Sequence, residues 1–301
     1  MKRLGKRTLM VGAAALAYSI GAHATENGLL DYPAGVGTVL NGILPPPGAT
    51  QYYNYTVLYT ANKFIGNDGQ SAIPNFRASV LVEAARILHT WNFHLGPFTL
   101  TSGAVLPISH VYTRLAGSSA VHNGTNDLLL QLFNVGYSNP SKGFFAYVAS
   151  DFSVPTGSYQ VNRLANNGLN YYTWQPSINA TWLPTPQWEL SASALVEVNA
   201  PNRATRYHSG SLFDLDYVVG YSPVKKLQLG VQGYILQQFT GDTLNGQPVA
   251  DGFRGRVLAI GPQVRYTLGP ASAITIKWQH EFAVRNRSQG DLLWAEFSFP
   301  L

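Results

Sequence analysis

The sequence predicts an all-β fold, a transmembrane antiparallel up-and-down β-barrel of about twelve strands with long external loops and short periplasmic turns. Three observations carry that prediction. Long segments alternate apolar and polar residues, short connections alternate with long ones, and the chain opens with an export signal. The stretch Gln187–Asn199 shows the alternation most clearly. Trp188, Leu190, Ala192, Ala194, Val196 and Val198 share one face; Glu189, Ser191, Ser193, Glu197 and Asn199 share the other, with Leu195 the single exception. Successive side chains of a strand point to opposite faces. Such a segment suits a tilted bilayer crossing of about 9–11 residues, lipid on one side and water on the other.

The first element is the export signal. Lys2, Arg3, Lys6 and Arg7 precede an apolar run from Leu9 to Ile20, and Ala22-His23-Ala24 follows. A basic head, a short apolar core and small residues two apart form a secretory signal over residues 1–24, cleaved after Ala24. The run is shorter than the roughly 18 residues of a spanning helix. The next element, up to Thr50, is dominated by glycines and Pro45-Pro46-Pro47. Three placements stay open for residues 25–50: a plug folded into the lumen, a periplasmic segment, or a disordered tail.

The barrel domain is expected over residues 51–301. Its N-terminal half offers strands at 51–61, 98–106, 127–137, 144–154 and 171–183. The stretch 79–91 is ambiguous. Either parity turns one charge outward, Glu83 or Arg86, and a β-bulge between them would reconcile the strand; a short helix is the alternative. The C-terminal half is cleaner, with alternating strands at 187–199, 211–221, 227–240, 258–268, 274–282 and 293–301. Short turns are expected at 93–97, 138–142, 184–186, 222–226 and 269–272. Long polar loops are expected at 62–75, 107–126, 156–170, 200–210, 241–253 and 285–290. The two sets alternate strictly, the signature of short periplasmic turns and long external loops.

Composition agrees and excludes other classes. Charged residues make up 12% of the chain against a usual quarter, with 17 tyrosines and 14 phenylalanines. The net charge of +5 is largely a targeting artefact: without the four basic residues of the signal, 16 basic and 15 acidic residues leave +1. That gives no basis for nucleic acid as a partner. The absence of cysteine excludes disulfides, cysteine metal sites and a thiol nucleophile.

Several passages together resemble one family. Pro155-Thr156-Gly157-Ser158-Tyr159 is followed by Asn167-Gly168-Leu169-Asn170-Tyr171-Tyr172-Thr173-Trp174-Gln175-Pro176. Tyr207-His208-Ser209-Gly210 precedes Phe213-Asp214-Leu215-Asp216-Tyr217, and Gly233-Tyr234-Ile235-Leu236-Gln237-Gln238 leads to Gly241-Asp242 and Gly261-Pro262-Gln263-Val264. Tyr32-Pro33-Ala34-Gly35 and Pro45-Pro46-Pro47-Gly48 fit as well. In this order they resemble the bacterial outer-membrane proteins named after the meta-pathway of phenol degradation. The resemblance implies an uptake channel for small hydrophobic or aromatic compounds in the outer membrane of a Gram-negative bacterium, and no phenol-degrading activity. The C-terminal Phe297, Phe299 and Leu301 resemble the end strand read by the barrel-assembly machinery, although Pro300-Leu301 replaces the usual aromatic end. Expected partners are therefore outer-membrane lipid, that machinery and small hydrophobic or aromatic solutes.

Inward-facing polar residues are the candidates for a solute path. They are the acids Glu189, Glu197, Asp214, Asp216, Glu281 and Glu296, the bases Arg265 and Lys277, and the tyrosines Tyr52 and Tyr234, which would stack on an aromatic ring. A stiffening ion-pair network explains the same charges. Asp214 and Asp216 alone would chelate a hard cation, but a solvated wall fits them better; no metal or other cofactor is expected. No Gly-x-Ser-x-Gly elbow occurs, so a barrel lipid hydrolase is an alternative reading that needs a Ser–His pairing across strands. A structural or adhesive barrel acting through its loops is another. Trp188, Tyr221, Tyr266, Trp278 and Phe299 point outward, and those near strand ends read as membrane-interface residues.

Overall fold

The computed structural model describes residues 30–301; the expected signal at 1–24 and residues 25–29 lie outside them. Twelve long strands follow in chain order: β1 (Thr50–Ile65), β2 (Arg77–Leu95), β3 (Phe98–Leu115), β4 (Leu128–Asn139), β5 (Phe144–Val154), β6 (Thr173–Thr185), β7 (Trp188–Asn199), β8 (Leu212–Val224), β9 (Leu227–Gln238), β10 (Arg256–Gly269), β11 (Ser272–Arg285) and β12 (Arg287–Pro300). Each pairs antiparallel with its neighbours in sequence, and β1 pairs with β12 to close the ring. Closure leaves no open sheet edge at membrane depth, as a membrane-spanning sheet requires.

The registers explain which face is which. Across β1 and β12, Val57 lies opposite Trp294 and Leu58 opposite Leu293. Val57 and Trp294 are buried toward the lumen, whereas Leu58 and Leu293 are exposed on the outer wall. Outward apolar side chains such as Ile87, Leu106, Val148, Ile178, Val231 and Ile260 continue that wall. At its periplasmic end Trp188 packs on Tyr221 at 5.0 Å, and Tyr137 sits between Phe98 and Phe144. These amphipathic rings suit the membrane interface.

Residues 79–91 form part of β2, with no helix. The pairing runs unbroken from Ala78 to His89 against β1 and from Arg77 to Thr90 against β3. The bulge expected between Glu83 and Arg86 is therefore absent; an irregularity falls later, between Thr90 and His94. Arg86 faces the lumen, and Glu83 takes the outward face. There Glu83 accepts a hydrogen bond from Asn54 Nδ2 and one from Thr56 Oγ1 at 2.5 Å. Two donors on the neighbouring strand thus offset an outward carboxylate that sequence pattern alone makes improbable.

Two connections also differ from expectation. Residues 285–290 form no long loop: β11 and β12 meet at Asn286, whose left-handed φ of 50° makes the turn. In the region expected as the loop 107–126, β3 continues to Leu115 and pairs with a returning strand, Ser118–Thr125. Short strands at Tyr207–His208, Thr243–Leu244 and Gln247–Pro248 tie two external loops together. Among the described residues no helix is long and apolar enough to cross a membrane, which leaves the crossing to the strands.

Candidate functional site

Residues 30–49 lie inside the barrel. They run from Asp31, beside the external ends of β5 and β6, down to Pro45 and Gly48 at the periplasmic end of β2. A glycine- and proline-rich segment without regular structure leaves its amides and carbonyls unpaired, and burial makes each a cost unless the wall answers it. The wall does so with side chains. The Asp216 carboxylate accepts from Tyr32 Oη at 2.8 Å and from the amides of Gly35 and Gly37 at 2.7 and 2.6 Å. Glu197 accepts from the Tyr32 amide at 3.2 Å, and Glu189 from the Leu40 amide at 2.7 Å. Lys277 Nζ donates to the carbonyls of Gly35 and Val36 at 2.7 and 3.0 Å and to Thr38 Oγ1 at 2.8 Å. Fully buried Thr38 also donates to Gln263 at 2.9 Å. The segment presses on the wall at Gly42, where a Cβ would stand 2.3 Å from the Phe145 carbonyl oxygen.

Nine of the ten candidate side chains face the lumen: Glu189, Glu197, Asp214, Asp216, Tyr234, Arg265, Lys277, Glu281 and Glu296. Tyr52 does not. It lies on the outer wall with its ring 5.0 Å from Phe299 and 6.0 Å from Phe297. Gln51, Tyr53, Tyr55, Val57 and Tyr59 take the inward parity of β1. Both faces of β1 carry aromatic residues, so its alternation misstates the inward set by one position. The inward charges are largely spent on structure. Arg265 pairs with Glu189 at 3.2 Å and Lys277 with Glu296 at 2.6 Å. Glu281 accepts from Tyr234 Oη at 2.5 Å, Tyr59 Oη at 3.0 Å and the Gly290 amide at 2.7 Å. Asp214 is buried beside Asp216 but takes none of the segment's amides. Among the described residues no group of three or more metal-ligating side chains is placed to hold an ion.

The open space lies elsewhere. A cavity of about 520 Å³ separates the lumen segment from the wall of β1–β6, lined by Tyr53, Tyr55, Arg86, Leu88, Leu129 and Tyr147 among others. It reaches the external rim at Asp127 and Asn167 and the periplasmic rim at Ala271 and Ser272. A second cavity of about 430 Å³ occupies the external half against β1–β3, bounded by Phe64, Phe76, Val111 and the loop residues 161–164. Both cavities touch Leu30, Tyr32, Val57, Val82 and Trp294, so they adjoin. Sequence pattern missed this lining, because Tyr53, Tyr55 and Tyr59 looked like the lipid face of β1. The available signal was the cationic Arg86, whose inward parity on β2 sets that of β1 through the Tyr53–Arg86 pair.

External loops fold over the mouth. Asp127 accepts the amides of Gly157 and Leu169 at 2.7 Å each, and burial raises its pKa against those two donors. Asp242 holds the loops after β7 and β9 together through Tyr207 Oη, the Gly210 amide at 2.7 Å and Gln238 Nε2 at 2.6 Å. Burial pushes the Asp242 carboxyl up to about 6 despite these donors.

A barrel filled by its own N-terminal segment invites comparison with known proteins. Residues 61–297 match the model of the family described as "Putative MetA-pathway of phenol degradation". The chain belongs to this family. An outer membrane channel from Pseudomonas putida F1, of known crystal structure, is similar in fold: TM-score 0.78 and 15% identity over 91% of this chain and 100% of that one. The β domain of the Bordetella autotransporter BrkA is similar at TM-score 0.51 and 14% identity, over 83% of this chain and 99% of that one. At these identities the likeness is one of fold, that of outer-membrane barrels. No curated protein matches the chain.

Proposed function

We propose that this family member is an outer-membrane channel for passive uptake of small hydrophobic or aromatic compounds. The observation that carries the reading is the pair of adjoining cavities that follows the β1–β3 wall from the loops to the periplasmic rim. Their volumes fall within the roughly 300–1,000 Å³ of small-molecule sites, and aliphatic and aromatic side chains dominate their walls. Residues 30–49 act as a plug that narrows the lumen to this side passage, and Glu189, Glu197, Asp216 and Lys277 act as plug anchors; Arg265, Tyr234, Glu281 and Glu296 border the passage. The proposed domain order is a signal at 1–24, the plug to residue 50, and the barrel at 51–301. The barrel partners with outer-membrane lipid along its apolar belt and is assembled through β12. The Pseudomonas putida relative, an outer membrane channel by its description, supports the channel reading.

The hydrolase alternative gains no comparable support. The His280–Asp291 pair, 2.9 Å apart, faces the outside of the barrel with about half of each side chain exposed, away from both cavities. Purified protein in liposomes decides the matter. Entry of toluene, phenol or benzamide faster than into protein-free vesicles is the expected result; absence of both solute flux and bilayer conductance refutes the channel.

A further inference from the structure

Of the two cations lining the larger cavity, Arg265 is paired with Glu189 and Arg86 has no carboxylate in ion-pair contact among the described residues. Arg86 projects from the middle of β2 into the larger cavity, its guanidinium carbon 5.3 Å above the ring centre of Tyr53. Its Nε donates to Gln131 Oε1 at 2.6 Å and its Nη1 to Tyr55 Oη at 3.2 Å. All three partners are uncharged. Among the described residues no carboxylate lies within the 4.0 Å of an ion pair with it. The other charges lining this cavity are engaged. Glu296 pairs with Lys277 and Arg265 with Glu189. Asp31 accepts from Ser153 at 2.7 Å and from Gln175 at 2.5 Å. Asp127 accepts two loop amides at the rim. Asp151 accepts from Gln131, which stands between it and Arg86.

A partly desolvated guanidinium held by neutral acceptors and rings, with the Asp151 carboxylate reached only through Gln131, is oriented but forms no direct ion pair. Its planar fork matches a carboxylate in two parallel hydrogen bonds, and its neighbours offer π faces. Arg86 lines the cavity with Tyr53, Tyr55, Tyr147, Val82 and Leu88, a surface suited to a ring. We infer that Arg86 and these tyrosines form a binding subsite for an aromatic ring bearing one carboxylate. The inference deepens the channel reading and rests on it for the route by which the solute arrives. Within the subsite Arg86 takes the carboxylate, Gln131 and Tyr55 fix the guanidinium plane, and the ring lies among the tyrosines.

The test compares benzoate with its uncharged isostere benzamide on the full chain. Equilibrium dialysis of detergent-solubilised protein against each should show saturable benzoate binding at least about tenfold tighter than benzamide, one charged pair's worth of affinity. Equal binding of the two, or no binding of benzoate, overturns the inference without any variant. In Arg86→Gln the benzoate preference should fall to about unity, and Arg86→Lys should keep part of it. A folded Arg86→Gln barrel, shown by heat-modifiable migration, that keeps the full preference also overturns it. Wild-type protein that passes neither solute refutes the channel instead, and the dialysis result still decides the subsite.

Discussion

Replacing Asp216 by alanine should unseat the lumen segment while leaving the barrel closed. Asp216 is fully buried and its carboxylate takes three hydrogen bonds from residues 32–37, at 2.8, 2.7 and 2.6 Å. Hydrogen bonds to a charged group contribute about 1.5–3 kcal/mol each, so the low end gives a loss of about 4–5 kcal/mol for the seated state. At 1.4 kcal/mol per tenfold, the ratio of displaced to seated segment rises roughly a thousandfold. The pairing of β8 with β7 and β9 does not involve the carboxylate, so the wall persists. Because the natural chain has no cysteine, Ala34→Cys supplies a unique thiol on the segment, at a site 7% exposed. A water-soluble maleimide should label it slowly in the parent barrel and orders of magnitude faster with Asp216→Ala, and bilayer conductance should rise in parallel. Equal labelling rates in two barrels of equal heat-modifiable migration refute the claim that Asp216 holds the segment.

Three further outcomes are expected. Glu83→Leu should stabilise the barrel in lipid vesicles by about 1–2 kcal/mol, since a lipid-facing carboxylate is replaced by an apolar side chain; a lower urea midpoint would show that its bonds to Asn54 and Thr56 outweigh the burial cost. Asp242 has its folded pKa raised from 3.8 to about 6, so its protonated form favours the folded loops. Their hold is strongest below pH 3.8 and weakens as pH rises to about 6, by up to about 3 kcal/mol. Proteolysis between Thr243 and Ala250 should accelerate over that window, and Asp242→Asn should flatten the profile. Gly261→Ala should sharply cut the yield of folded barrel in refolding assays, because a Cβ there would stand 1.8 Å from the Trp278 carbonyl oxygen on β11.

The architecture was legible because bilayer crossing imposes it on every strand. The twelve crossings and nine of the eleven expected connections appear where alternation and loop length put them; the exceptions are 107–126, where β3 runs on to Leu115 and pairs with a returning strand, and 285–290, where β11 pairs on with β10 and β12 with β1 almost to Asn286. Parity was legible where one face was cleanly apolar, as in β7 with Glu189 and Glu197. It failed for β1, where tyrosines alternate with Asn54 and Thr56 on the opposite face and both faces are amphipathic. What decided β1 was its neighbour. With Arg86 inward and Glu83 outward, the register turns Tyr53 and Tyr55 to the lumen and Tyr52 to Phe299.

The amino-acid sequence by itself determined a closed antiparallel barrel, its phase across the membrane and the polar character of its interior, since those follow from a period of two and from the rule that no backbone group stays unpaired in lipid. Only the tertiary structure decided what the inward charges do. Asp216 and Lys277 are 61 positions apart and meet through residues 35–38, which no periodicity relates to either. A segment without regular structure takes its place from long-range hydrogen bonds alone. By filling one side of the lumen, it leaves the space beside Arg86 and the tyrosines of β1 and β5.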